Sequence, residues 1–464
     1  MTGALHHLTI AEASTLIEQQ ELSPVALTEA FLGRIDAIDP KLNAYVTVTG
    51  ERALDDARAA EREIATGRYK GPLHGIPIAL KDIYDTAGIR TTSQSHLHAD
   101  RTPEHDSRTA ALLRAAGSVL LGKLTTHEFA FGGPSWDLPF PPARNPWDPD
   151  CFTGGSSSGS GAATAAGLAM ATLGSDTAGS IRMPAFFCGI TGLKPTYGRV
   201  SRRGVAPLAY SLDHCGPMTW TARDAALMLQ AIAGYDTEDP GSSDCPVPDY
   251  AAALTGDVRG VKVGLIRHFY DGDEHADAEV KTAMDGTLRV LEDLGAEVEE
   301  IRLSSLHDYS ACCLVIMLCE ALAIHERDLK ATPQKYGEIF RDRLMLSSLL
   351  TGMDYMQAVR LRRQLVAEIE AVFDRCDVLL TAGGYAPAPK IDQVSKFYIM
   401  QKPLLTAPFD VTGSPAICVC NGFSAAGLPI GMQIVGRAFD EAAVLRVADA
   451  YEQATDWRER RPSL

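Results

Sequence analysis

The chain has 464 residues, 46% of them hydrophobic and 22% charged, with a formal net charge of −16 at pH 7. This composition excludes a largely disordered chain, and the acidic balance counts against direct nucleic-acid binding because it repels phosphate backbones. Ten cysteines in so long a chain do not form a disulfide scaffold, and Cys312-Cys313 and Cys418-Val419-Cys420 lack zinc-ligand spacing, so they read as small buried hydrophobes in a reducing cytoplasm.

Met1 to Glu12 has no basic flank and no apolar core, so no secretory leader is read there. Residues 9–20 and 24–36 are expected to be helices. In the second, Ser23 fits the N-cap and Pro24 the first helical position, and Val25, Thr28, Phe31, Leu32 and Ile35 recur at helical spacing. Residues 51–65 form a third helix, Gly71-Pro72 a turn, and Ile76–Ile83 a buried strand. A helix over 107–117 and a short strand over 118–121 follow. Residues 131–153, rich in Pro and Gly and carrying Trp136 and Trp147, form a long ordered loop of the kind that often serves function. Residues 159–169 are helical, and the strand 170–173 delivers a turn, Gly174–Ser180, with a helix starting at Ser180. A β-α-β unit spans 261–266, 276–294 and 298–301. Residues 304–375 are mostly helical, and the Ala311–Cys319 apolar run stops at Glu320, too short to span a bilayer, so no membrane association is expected. Strands at 378–381 and 417–420 and a closing helix at 440–454 complete the chain. Strands alternate with helices throughout, which argues α/β architecture. No repeat, heptad or linker divides it, so residues 1–464 read as one domain.

The chemistry concentrates between Thr153 and Gly192. Two hydroxyl-rich, glycine-rich turns flank a short apolar helix, and upstream a single lysine, Lys81, ends the apolar run Ile76-Pro-Ile-Ala-Leu80. Gly154–Ser160 is not a P-loop, because no Lys-Ser/Thr pair closes it, and Gly159-Ser-Gly-Ala-Ala-Thr164 misses the dinucleotide fingerprint at its third glycine. Gly155-Ser-Ser-Ser-Gly159 formally matches a nucleophile elbow centred on Ser157. That motif needs a strand directly before it, and His214, His268, His307 and His325 sit in no suggestive setting. The third reading uses both turns. Backbone N–H groups of Thr177, Ala178, Gly179 and Ser180 would converge at a helix start, where free donors stabilise a developing oxyanion. A lysine in apolar surroundings has its charged form disfavoured and becomes a base for a serine.

These residues resemble the amidase signature family. Its Gly-Gly-Ser-Ser-(Gly/Ser)-Gly pattern is matched at 154–159, and its Gly-Ser-Asp-Thr-Gly-Gly-Ser-Ile-Arg pattern at 174–182, with Ala178 in place of one glycine. Similar stretches are Gly75-Ile-Pro-Ile-Ala-Leu-Lys-Asp82, Phe187–Arg199, Ser211-Leu-Asp213 with Gly216-Pro217, and Gly431-Met-Gln-Ile-Val-Gly-Arg437. The resemblance implies one domain with a mixed, twisted β-sheet covered by helices, a signature core over about 72–217 and a variable substrate-pocket region over about 304–412. It implies a Ser–cis-Ser–Lys triad in which Ser180 is the nucleophile, Ser156 the middle serine and Lys81 the base. Ser157, Asp176 and Arg182 are expected in support.

Weaker signals lie elsewhere in the chain. His96, His98 and His105 lie in a polar loop without a second layer of ligand partners, and neither metal nor cofactor is expected. Cys313, Met317 and Glu320 share a helix face and read as core. Phe131 and Gly132, with Tyr385, Phe397 and Asp410 among the Pro- and Gly-rich residues 382–412, are candidates for the substrate pocket. The expected activity is that of a free-standing serine hydrolase, monomeric or homodimeric, acting on small to medium amides, anilides, esters or carbamates. Three alternatives stand beside it. One is the glutamine-hydrolysing A subunit of a tRNA-dependent amidotransferase, against which Met183 and His214-Cys215 count, since that subfamily is expected to carry Gln and Gln-Ile there. The others are a Ser157 esterase and a binding protein without catalysis.

Overall fold

The structure, a computed structural model, describes residues 5–464. Met1 to Ala4, part of the segment read as lacking a leader, lie outside the described residues. Helices start where the caps dictate. Thr9 and Glu12 form a reciprocal capping box on Ile10–Glu18, and the Ser23 hydroxyl accepts from Val25 and Ala26 at the head of Pro24–Leu42. The second helix runs beyond its expected end at residue 36, through Pro40, and stops at the left-handed Asn43. Its Leu27, Phe31 and Ile35 face the core.

Eleven strands form one mixed sheet: β1 (Tyr45–Val48), β2 (Pro77–Lys81), β3 (Val119–Leu124), β4 (Ala171–Asp176), β5 (Thr191–Lys194), β6 (His214–Thr219), β7 (Lys262–Leu265), β8 (Glu297–Glu300), β9 (Val378–Ala382), β10 (Ala416–Phe423) and β11 (Pro429–Gly436). Their order is β1-β3-β2-β4-β6-β5-β10-β11-β9-β7-β8. β3, β2 and β4 are mutually parallel, β4 to β9 alternate in direction through the centre, and β9, β7 and β8 are parallel again. The expected β-α-β unit is β7, the helix Ala278–Asp293 and β8, and it joins the sheet through β9. This is a single-domain α/β fold with its sheet covered by helices.

The sequence pattern does not announce β1, β5, β6 or β11. Gly192 interrupts β5, Gly216-Pro217 interrupts β6, and both strands are wholly buried, so no polar alternation marks them. β4 also runs further than expected. Gly174, Ser175 and Asp176 belong to its ladder with β6, Asp176 opposite His214, and the turn is confined to the residues after them. The following helix starts at Arg182, not at Ser180.

The helices Leu306–Ala331, Glu338–Ser347 and Gly352–Val372 pack on one another. Leu306–Ala331 is long and apolar enough to cross a membrane, which the short Ala311–Cys319 run by itself does not convey. Here its Tyr309, Cys312, Cys313, Ile316, Met317 and Ala321 are buried in the core. The ten cysteines are all free.

Candidate active site

Lys81 is the last residue of β2, at the carboxyl end of a strand flanked by parallel neighbours, the position where open α/β sheets hold their ligands. It is fully buried. Its Nζ donates to Ser156 Oγ at 2.7 Å and to Ser175 Oγ at 2.8 Å, and no carboxylate forms an ion pair with it among the described residues. Burial pushes its pKa down to about 7, against the pull of the Asp176 and Asp213 charges. The contrast with Lys123 is informative. That lysine is equally buried but sits 3.6 Å from Asp82, an ordinary structural pair.

The Gly155–Ser156 peptide is cis. Gly155 is required there, because a Cβ would lie 2.0 Å from His127 Cε1. The Ser156 carbonyl accepts from the His127 N–H at 3.0 Å, and the Ser180 carbonyl accepts from the Ser157 N–H at 3.2 Å, so the two glycine-serine turns are stitched together. Ser156 and Ser180 line one narrow pocket. Their hydroxyls are not hydrogen-bonded to each other, and the Ser180 side chain is only half-buried. Catalytic hydrogen bonds are often this loose before substrate arrives. Ser157 is fully buried, and its hydroxyl exchanges two 3.2 Å bonds with the Ser175 backbone. No histidine hydrogen-bonds to it among the described residues, so nothing there supports the elbow reading.

Asp176 organises the second turn. Its carboxylate accepts from the N–H groups of Gly179, Ile181 and Arg182 and from the Arg182 guanidinium, with Nε at 3.0 Å and Nη2 at 3.1 Å. Burial alone would raise this carboxyl, but Arg182 holds it well below the usual carboxylate range. One expected donor is thereby withdrawn. The Gly179 N–H is occupied by Asp176 at 2.5 Å, whereas those of Thr177, Ala178 and Ser180 have no acceptor among the described residues. Asp410 is likewise corrected. It is fully buried, takes Arg182 Nη2 at 2.5 Å and lines neither the pocket that holds Ser180 nor the apolar cleft beside it, because Arg182 draws both carboxylates under the turn. Burial and the Asp176 charge push its pKa well up.

Phe131 and Gly132 line the pocket above Ser180, together with Met317 and Tyr398. Tyr385 lines a neighbouring apolar cleft of about 440 Å³ that shares Met183, Tyr398 and Leu404 with this pocket. Phe397 lines neither, since its ring lies under the Lys396 ammonium at 5.4 Å. Glu320 caps Ser211 and Tyr355 instead of facing substrate.

Sequence reasoning missed two residues. His127 is buried beside Gly155, stacks on Phe152, and burial pushes its pKa down to about 3, so it is a neutral wall. Arg343, 1% exposed, lies between the rings of Phe131 and Tyr398, with its Cζ 5.4 and 5.3 Å from their centroids. Its Nη1 donates to the carbonyls of Phe131 and Gly132 and its Nε to that of Lys396, while Nη2 has no partner and no carboxylate pairs with the side chain among the described residues. Only its position on a helix that turns inward reveals it; nothing in its sequence neighbourhood does. A second cleft of about 450 Å³ has its arginines already paired, Arg202 with Asp239 and Arg203 with Asp236.

A deeply buried, unpaired lysine bridging the hydroxyls of Ser156 and Ser175 thus lies beside a turn with free N–H donors. The family model named Amidase covers residues 26–445. The chain belongs to the amidase signature family. It is thus a C–N hydrolase by family. The glutamyl-tRNA(Gln) amidotransferase A subunit from Geobacter metallireducens is 43% identical over 99% of this chain and 100% of its own length. The crystal structure of the corresponding A subunit from Thermotoga maritima has a TM-score of 0.81 at 33% identity, covering 97% of this chain and 95% of that one. Native peptide amidase from Stenotrophomonas maltophilia has a TM-score of 0.87 at 31% identity, covering 98% of both chains.

Full-length identity to these amidotransferase A subunits overturns the expectation of a free-standing hydrolase of small amides, anilides, esters or carbamates. It equally overturns the expectation of small-molecule partners alone, with no nucleic acid and a monomer or homodimer, because net charge reports only the average surface and not one local contact. The structure explains why the contrary residues misled. His214 and Cys215 are buried in β6, with His214 Nδ1 donating to the Leu212 carbonyl at 2.6 Å, and neither lines the pocket above Ser180. Met183 alone does.

Proposed function

We propose that this chain hydrolyses the side-chain amide of glutamine through an acyl-enzyme on Ser180 and supplies the ammonia within a tRNA-dependent amidotransferase assembly, the kind of enzyme its relatives are named for. Arg343 carries the reading. A buried guanidinium without a carboxylate partner is costly unless a ligand completes it. Its free Nη2, in the pocket that holds Ser180, suits the α-carboxylate of an amino-acid substrate.

The geometry supports the following chemistry. Neutral Lys81 accepts a proton from Ser156, which takes one from Ser180 as Ser180 Oγ attacks the amide carbonyl. The N–H groups of Thr177, Ala178 and Ser180 receive the oxyanion. The proton returns through Ser156 to the departing nitrogen, ammonia leaves, and water cleaves the glutamyl ester to give glutamate. Asp176, Arg182 and Ser157 hold the turns without touching substrate. On this reading the signature core at about 72–217 supplies the chemistry, and the region at about 304–412 supplies recognition through Arg343 and Tyr398. The partners are the other chains of the assembly and a tRNA-linked substrate, and the work belongs in the cytoplasm.

The test is ammonia and glutamate release from glutamine by the purified chain, alone and assembled with the partner chains of an amidotransferase. Turnover should vanish in Ser180→Ala. Arg343→Met should raise KM by about 30-fold, the equivalent of about 2 kcal/mol for a charge-assisted carboxylate contact. Absence of glutamine turnover in both forms, or an unchanged KM in Arg343→Met, refutes the proposal.

A further inference from the structure

We propose that Thr406 is a positioning residue for the turn that receives the substrate oxyanion, acting through the Ala178–Gly179 peptide; this rests on the acyl-enzyme reading above. That peptide is clamped at both ends. Its carbonyl oxygen accepts the Thr406 hydroxyl at 2.5 Å, and its N–H donates to Asp176 Oδ1 at 2.5 Å. Both of its polar groups are therefore already bonded within the protein. The N–H groups on either side, those of Ala178 and Ser180, are the ones left without an acceptor among the described residues.

Thr406 is itself held. It is 2% exposed, and its carbonyl accepts Arg182 Nη1 at 2.8 Å. Arg182 in turn is bound to Asp176, so Asp176, the 178–179 peptide, Thr406 and Arg182 close a ring of hydrogen bonds. Gly179 has φ +127°, and a Cβ there would lie 2.1 Å from Thr406 Oγ1, so the threonine packs directly on the glycine face. Without the hydroxyl the Ala178 carbonyl loses its donor, and the peptide plane is held only through the Gly179 N–H bond to Asp176. A tilt of that plane turns the negative end of its carbonyl toward the developing oxyanion and shifts the flanking Ala178 and Ser180 N–H groups out of their convergence. Thr406 also lines the apolar cleft beside the pocket, so it ties the wall of that cleft to the geometry of the turn.

The experiment compares Thr406→Val, which keeps the shape and removes the hydroxyl, with Thr406→Ser, which keeps the hydroxyl. Two rates are measured: phosphonylation of Ser180 by a fluorophosphonate probe, and glutamine turnover by the assembled enzyme. In Thr406→Val both the phosphonylation rate and kcat should fall roughly 10- to 100-fold, with KM within about twofold, and Thr406→Ser should stay within about threefold of the wild type. Thr406→Ala gives the same reading if the valine variant is insoluble. A hydroxyl-free variant within about threefold of wild type, a serine variant that falls as far, or a loss confined to KM overturns the inference. A wild-type chain that is phosphonylated at Ser180 but ignores glutamine removes the substrate reading and leaves this test intact on the probe rate.

Discussion

The sharpest consequence of a buried, unpaired lysine is a pH profile. Burial lowers Lys81 to about 7, from an ordinary 10.5, and the proposed base is its neutral form. Activity should therefore be lost as pH falls through 7. Single-site titration leaves about a tenth of the amine neutral at pH 6, about half at pH 7 and about nine-tenths at pH 8, so the acid limb should have unit slope. The Asp176 and Asp213 charges hold the amine's pKa above where burial alone would set it. Asp213, itself raised to about 6 by burial, can be neutralised without touching substrate. Asp213→Asn should move the acid limb to lower pH, and this shift separates Lys81 from buried groups that burial also brings to about 7, Lys194, Glu128 and Glu452. The assay is the rate of fluorophosphonate labelling of Ser180 between about pH 5.5 and 8.5, repeated with kcat/KM for glutamine. A rate that is flat across this range, or an inflection near 10, would falsify the neutral-lysine relay.

Three structural predictions accompany it. Ser157→Ala removes the paired bonds to the Ser175 backbone and should lower stability by about 1–2 kcal/mol in denaturant titration, with labelling of Ser180 retained. Labelling lost in that variant and kept in Ser180→Ala would invert the assignment. Gly155→Ala places a Cβ inside the His127 ring, and soluble, active protein from this variant would contradict the packing. Asp410→Asn preserves an acceptor for Arg182 and, because the acid is pushed toward its neutral form, should cost under about 1 kcal/mol, whereas Asp410→Ala leaves a buried guanidinium short of a partner and should cost about 3 kcal/mol or more. Equal losses in the two variants would show that Asp410 is needed as an anion.

Particular segments show where sequence was enough. Local signals placed the capped helices, the apolar β2 that ends in Lys81 and the two glycine-serine turns, because caps, periodicity and glycine requirements act over a few residues. The same signals missed β5 and β6, whose glycines and proline are tolerated only because neighbouring strands bury them on both faces. They also placed Asp410 and Phe397 in a pocket that neither lines.

What the chain alone determined is the chemistry: which residues carry hydroxyls, an amine and free N–H donors, in an order that matches one family. What tertiary packing decided is the use of that chemistry. Leaving Lys81 buried without a paired carboxylate lowers its pKa, withdrawing the Gly179 N–H into Asp176 narrows the set of free donors, and turning Arg343 inward leaves a guanidinium without a carboxylate partner among the described residues beside Ser180. Each depends on groups distant in sequence whose mutual distances exist only in the folded chain, and desolvation, which sets the charge of every one of them, has no local sequence signal.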